Sequence, residues 1–194
     1  MKHLILLIGF LFATSVFAGK NVSNCVSENY NSAMNAECFI KFDMESTKAG
    51  FITTGFTGVV KKFSAEFNWN GSEFANTLIK INPRDIDTDN GSRNDKMYEQ
   101  SFGVDKFAQL VVQIGGPLKA GNHNNVPALL TVRGKIKEIT LNMEITVSKE
   151  NEFVIKGTSQ MSIKELEIPD PSIFIAKVRD RVDLSFQLKG TLSE

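Results

Sequence analysis

Leu130 to Ile145 reads LTVRGKIKEITLNMEI. Ala128, Leu130 and Val132 alternate with other residues before Arg133-Gly134, and Ile139, Leu141, Met143, Ile145 and Val147 alternate after it. A period of two is the signature of a strand with one buried face, and Arg-Gly between two such runs is turn chemistry. The stretch therefore reads as two strands of an antiparallel sheet.

The same pattern recurs in both directions. Upstream lie Ile40, Phe42 and Met44; Phe63, Ala65, Phe67 and Trp69; Thr77, Ile79 and Ile81; and Ala108, Leu110, Val112 and Ile114. Downstream come Phe153, Ile155, Met161 and Ile163, then Val182, Leu184, Phe186 and Leu188. Asn70-Gly71, Asn90-Gly91, Gly115-Gly116-Pro117, Gly121-Asn122 and Lys149-Glu150-Asn151 separate the runs as turns do. The expectation is an all-β fold in the main, with about eight antiparallel strands. Two intervals break the rhythm and are compatible with short helices: Arg93 to Phe107, and the IFIAKVRDR that follows two prolines within Pro169 to Arg181.

Eight half-buried strands either close into a barrel, which removes their edges, or stack as a two-sheet sandwich. Several runs have nine or more residues, about 30 Å at 3.3 Å per residue, which favours an elongated barrel. Such a barrel is filled by its own side chains or holds one small ligand, and alternation does not distinguish the two.

PRDIDTDNGSRND, residues 83 to 95, carries Asp85, Asp87 and Asp89 at alternate positions and invites a calcium reading. An EF-hand loop counted from Asp85 would place Asn90 at its sixth position, where glycine is needed, and Lys96 at its twelfth, where the bidentate glutamate belongs. The register fails, and the acidic run reads as a polar turn with caps and side-chain bonds to backbone donors.

Residues 1 to 18 have the build of a cleaved signal peptide. Met1-Lys2-His3 is a short basic start, LILLIGFLF is an apolar run too short to span a bilayer, and Val16-Phe17-Ala18 offers a cut after Ala18. Export to the periplasm is the expectation. No lipidated cysteine is expected, because Cys25 lies well past the apolar run.

The remaining chain, 194 minus 18 or 176 residues, suits one domain over 19–194. Lysine plus arginine and aspartate plus glutamate number 22 each, and a balanced charge argues against a nucleic-acid binder. Cys25 and Cys38 are the only cysteines, and in an oxidising compartment a disulfide between them is favoured. The sequons at Asn21, Asn70 and Asn90 matter only where the source glycosylates them.

Catalytic and metal chemistry finds little support. His123, in the polar run GNHNN, is the single histidine after the leader and reads as an exposed loop residue. That nearly excludes a histidine-based triad and leaves the cysteines poorly supplied with partners for a metal. No nucleophile-elbow, P-loop or dinucleotide fingerprint is present. Asp180 and Asp183 flank a strand with outward parity, as solvated carboxylates do.

DIDTDNGSRNDKM, residues 85 to 97, resembles the SIDTGN..RD.HL signature of the YceI-like family of bacterial polyisoprenoid-binding periplasmic proteins. LTVRGKIKEITLNMEI resembles that family's LTIRG.TK.VTL.V.F hairpin, and GFTGVVKKFSAEF, residues 55 to 67, resembles its G.F...F.G.I.F segment. The likeness runs in order from about Ile40 to Gly190. Asn94 and Lys96 stand where the family usually has Asp and His, and Asp89 where it has Gly; the cysteine pair is not a usual family feature.

The resemblance implies a lipocalin-like barrel whose tunnel holds a long isoprenoid, quinone or other lipid tail as ligand, with no cofactor and no catalysis. Phe42, Met44, Phe63, Phe67, Trp69, Ile79, Leu110, Val112, Leu141, Met143, Phe153, Met161 and Phe186 share inward parity and are the expected tunnel wall. Phe51, Phe56 and Phe102 are expected at its mouth. The competing expectation is an envelope scaffold module with a side-chain-filled barrel. A homodimer is compatible with either.

Overall fold

The computed structural model describes residues 19–172 and 176–193. In chain order it contains β1 (Gly19–Val26), α1 (Tyr30–Met34), β2 (Phe39–Lys48), β3 (Ile52–Val60), β4 (Lys62–Trp69), β5 (Glu73–Ile81), the two-residue β6 (Ile86–Asp87) and α2 (Gly91–Lys96). A π-helical turn, Met97–Phe102, continues α2 directly. Then come β7 (Leu110–Ile114), the short β8 (Leu118–Lys119), β9 (Gly121–Val132), β10 (Lys135–Val147), β11 (Glu152–Met161), the short β12 (Ala176–Val178) and β13 (Val182–Thr191).

The Leu130–Ile145 stretch folds back on itself as read. Val132 pairs with Lys135, leaving Arg133 and Gly134 as a two-residue turn. Both have positive φ, 51° and 72°, the type I′ pattern whose twist matches that of the flanking strands. The Arg133 guanidinium is not idle at this tip. It donates to the Gln100 and Ser101 carbonyls at 3.0 and 3.2 Å, closing the end of the π-helical turn, where carbonyls lack intrahelical partners.

Thirteen strands form one antiparallel sheet in the order β1-β4-β5-β7-β9-β10-β11-β13-β2-β3-β6, with β8 on β5 and β12 on β2. The eight expected runs are all present. The count is higher because β1 and β3 are long strands that alternation does not reveal, and because β6, β8 and β12 are short additions. The sheet curls until its two ends meet at Lys61. Its N–H donates to Asp85 O at 2.8 Å, beside β6, and its carbonyl accepts from Ser27 N at 2.7 Å, beyond β1.

The interval from Arg93 to Phe107 holds the end of α2 and the π-helical turn, as its broken alternation suggests. The second expected helix is not found in its described part. Ile173 to Ile175 lie outside the described residues, and Ala176–Val178 pairs with Ser46–Lys48 as a strand, since an exposed edge of β2 offers ladder bonds that a short isolated helix cannot match. α1 was not expected. Asn29 caps it by accepting from Ser32 N at 3.0 Å while Ser32 Oγ accepts from Asn29 N at 3.0 Å, a reciprocal capping box.

α1 lies inside the loop closed by Cys25–Cys38, whose Cα atoms are 5.8 Å apart. The bond ties the end of β1 to the start of β2, and cross-linking so short a loop contributes about 3 kcal/mol in the chain-entropy account. His123 is in β9 opposite Met143 rather than in a loop, and its Nε2 contacts Lys119 O at 2.8 Å. No described helix is long and apolar enough to cross a membrane.

Candidate functional site

Inside the curl, the two halves of the bore differ. One half is solid. Phe67 and Trp69 from β4, Phe74 from β5 and Phe153 from β11 interlock, with ring centroids 5.2 Å apart for Phe67–Phe74 and Phe67–Phe153, 4.7 Å for Trp69–Phe74 and 5.7 Å for Phe74–Phe153. Tilted and edge-on contacts of this kind add attraction beyond the area buried. Ile145 and Leu188 complete the packing, each 1% exposed.

The other half is open. A cavity of about 640 Å³ occupies it, within the range of sites that enclose small molecules. Phe42, Met44, Ile79, Leu110, Val112, Leu141, Met161 and Phe186 line it, eight of the thirteen residues expected on the wall. Phe63, Phe67, Trp69, Met143 and Phe153 do not. They share the inward parity but pack into the core without reaching the cavity, Phe67, Trp69 and Phe153 as part of the ring cluster around Phe74. The tunnel is thus a blind pocket.

Glycine makes the pocket's width possible. Phe42 pairs with Gly58, and Phe186 with Gly157. In both pairs the phenyl ring lies across the glycine, so close that a Cβ there would overlap the ring. The rings therefore lie along the wall rather than across the bore. Phe153 covers Gly190 in the same way in the packed half.

The mouth is framed by the outer ends of β2 and β3, by α2 with the π-helical turn, and by the segment from Ile163 to Pro171. Phe56 and Phe102 belong to the lining, as expected of mouth residues. Phe51 does not; it stands 79% exposed on the β2–β3 turn. Parity reasoning also passes over the polar contributors Lys48, Thr88, Asn90, Ser92, Arg93 and Lys96. Lys48 could have been found, because it continues the inward positions Ile40, Phe42, Met44 and Ser46 of β2.

The loop that reads like a calcium site is a hydrogen-bonded frame for Arg93. Asn94 Oδ1 accepts from Thr88 N at 2.9 Å and Thr88 Oγ1 at 2.7 Å, while Asn94 Nδ2 donates to Asp87 at 2.9 Å. Asp87 also accepts from Asp89 N at 3.0 Å and pairs with Lys61 at 3.4 Å. These donors hold its carboxyl below the usual range even though burial opposes them. The caps expected from the aspartates come instead from Asn82, on Arg84 N, and Asn90, on Arg93 N. Among the described residues no three potential metal ligands gather.

Arg93 itself stacks on Phe56, its guanidinium carbon 3.9 Å from the ring centroid, and donates to Thr88 Oγ1 at 3.1 Å and to Thr88 O at 3.5 Å. Burial lowers its pKa from the ordinary arginine value, with Tyr30 and Asp89 acting the other way. Asp180 and Asp183 face away from the cavity and are engaged. Asp180 accepts from Ser162 Oγ and Lys164 N, and Asp183 holds Arg181 and Gln160.

Geometry and lining define a class: a lipocalin-like antiparallel barrel with a blind apolar pocket. The chain belongs to the YceI-like domain family, whose model matches residues 35–190. No curated protein matches it. Among solved structures it is similar to Burkholderia cenocepacia BcnA, at 19% identity and TM-score 0.61, covering 78% of this chain and 96% of that one. It is also similar to a polyisoprenoid binding domain from Saccharophagus degradans implicated in plant cell wall breakdown, at 14% identity and TM-score 0.57, covering 80% and 94%. A Campylobacter jejuni YCEI protein matches at 18% identity and TM-score 0.58, covering 71% and 85%. Likeness at these identities is a likeness of fold.

Proposed function

We propose that this chain is a non-catalytic lipid-binding protein of the periplasm, exported by cleavage after about Ala18, that carries or sequesters a polyisoprenoid, a quinone or a similar lipid. The observation that carries the reading is the cavity of about 640 Å³ walled by inward-facing apolar side chains. Family membership and the polyisoprenoid binding domain among the similar folds support it.

The energetics suffice. Twenty buried methylenes give roughly 16 kcal/mol gross, and even if association and ordering consume half, about 8 kcal/mol remains, which is micromolar binding. A scaffold with a filled barrel is the weaker reading, since half of this bore is unfilled. The test is mass spectrometry of organic extracts from protein purified out of its native host. A co-purifying lipid near one per chain, on a chain beginning at Gly19, is the expected result; repeated recovery of empty protein would overturn the proposal.

A further inference from the structure

Six large apolar side chains stand exposed among the described residues, and four of them, Val22, Val26, Leu129 and Ile136, are spread over β1, β9 and β10. Scattered residues of that kind are ordinary on a soluble surface. Phe51 and Ile52 are not scattered. They are adjacent, 79% and 50% exposed, and sit where the chain passes from β2 to β3.

The turn that carries them is built to project. Ala49 and Gly50 both have positive φ, 49° and 81°, and Phe51 N–H donates to Lys48 O at 3.2 Å, so the chain reverses in very few residues. Lys48 pairs with Ile52, which leaves Phe51 at the exit of the turn with no partner across the ladder. Beyond its chain neighbours, no atom comes within 4 Å of where a Gly50 Cβ would stand. β12 braces one side of this tip, Ala176 pairing with Lys48.

Shape and charge select the partner. Phe51 and Ile52 together offer on the order of 200 Å² of exposed side chain, well under the roughly 800 Å² that each partner of a stable protein complex buries. A bilayer needs no matching surface: it takes projecting aromatic and aliphatic groups into the boundary between headgroups and acyl chains, and anionic headgroups attract cations beside them. No acidic residue occurs from Ser46 to Ala65. Lys48 and, opposite Thr47, Lys177 are exposed, and neither enters an ion pair among the described residues. Glu45, the nearest acid along β2, is held by Arg179 at 2.7 Å. On the α2 side of the mouth the exposed Asp89 and Asp95 are matched by Arg93 and Lys96. The tip therefore carries the positive excess.

The same tip borders the mouth. Ser46, Lys48 and Thr54, which flank the turn, line the cavity, whereas Phe51 and Ile52 do not. We propose that the β2–β3 tip docks the protein on an anionic lipid bilayer, with Phe51 and Ile52 inserted at the interface and Lys48 and Lys177 against the headgroups, so that the mouth opens onto the membrane. This rests on the lipid-binding reading and adds to it the surface with which the carrier exchanges its cargo.

Flotation of the mature chain with vesicles of phosphatidylcholine, alone or mixed with phosphatidylglycerol, tests it. Binding should be at least about tenfold stronger to the mixed vesicles and should weaken as salt screens the attraction. Phe51→Ser with Ile52→Ser should lower binding at least about tenfold while the lipid recovered in organic extracts of the variant stays as in the parent chain. Lys177→Gln should weaken binding about fivefold to the mixed vesicles and leave binding to phosphatidylcholine alone unchanged. In the Phe51→Trp variant the added indole emission should shift to the blue when mixed vesicles are supplied, a shift that the parent chain, with Trp69 alone, does not give.

Absence of vesicle binding, or binding that survives the double serine change undiminished, would overturn the docking, and so would a concentration-dependent dimer abolished by that change, which would make the tip a contact between copies. These results leave the lipid-binding reading standing wherever extracts still hold lipid. Empty extracts from a chain that floats with vesicles would overturn that reading and leave the docking in place.

Discussion

Gly58 illustrates how a single residue sets the shape of the pocket. It is buried opposite Phe42, and the three atoms nearest to where its Cβ would be all belong to the Phe42 ring. Gly58→Ala should therefore keep the strand pairing and turn the ring off the wall into the bore. The expected outcome is a protein that folds but binds tails several carbons shorter, with Phe42→Leu in the same chain restoring the length; an unchanged length profile would refute the account. Arg133 makes a second case. Asn tolerates its positive φ but cannot reach the Gln100 and Ser101 carbonyls, so Arg133→Asn should cost about 2 kcal/mol in denaturant unfolding, the usual size for a charged hydrogen-bond donor. The residue identities are plain in the sequence, yet what they do depends on the partner across the ladder. Phe42 is identifiable by parity; that it lies flat is set by a glycine on a strand that alternation does not reveal.

At the scale of elements, the strands that escape notice do so for physical reasons. β3 offers Thr54, Phe56, Gly58 and Val60 to one face and Thr53, Gly55, Thr57 and Val59 to the other, so neither face is consistently apolar. β1 is inverted. Asn21 is buried, bonding Ser193 N at 2.8 Å, whereas Val22 and Val26 are 54% and 70% exposed. A strand whose polar side chains find backbone partners can bury them, and then hydrophobic periodicity points the wrong way. The segment after β11 carries a pH prediction. Glu167 there accepts from both Lys135 and Lys137 of β10, which lowers its pKa from 4.5 to about 2. A depressed pKa means the contact is fully present above pH 4.5 and fades as pH falls toward about 2. The protection of the Leu166 and Ile168 amides against hydrogen exchange, taken relative to the intrinsic rate at each pH, should fall through that window. Because Asp170, Asp180 and Asp183 nearby are also lowered, Glu167→Gln is the control, and it should remove this part of the pH dependence.

At the scale of the whole molecule, the decisive fact is that one half of the bore is packed and the other is not. Inward parity runs without interruption along β10 from Ile139 to Ile145, and nothing in it marks where lining ends and plug begins. The boundary is set by cross-barrel meetings of rings from distant strands. Phe74, the hub of the plug, even breaks the parity of its own strand. A register shift opposite Glu66 to Asn68 and a positive φ of 52° at Asn76 place Phe74 and Thr77, three apart, on the same buried face. Phe74 does not line the cavity, so shortening it tests whether the packed half can be loosened without losing the open one. Phe74→Ala should cost about 3–5 kcal/mol, the range for emptying a buried aromatic site, and should leave lipid affinity within about twofold. Phe74→Leu removes less volume and should cost less, which keeps the test valid if the alanine chain fails to fold. Thermal unfolding and lipid affinity measured on the same variants decide the matter. Loss of lipid binding in a well-folded Phe74 variant would mean that the packed half shapes the open one.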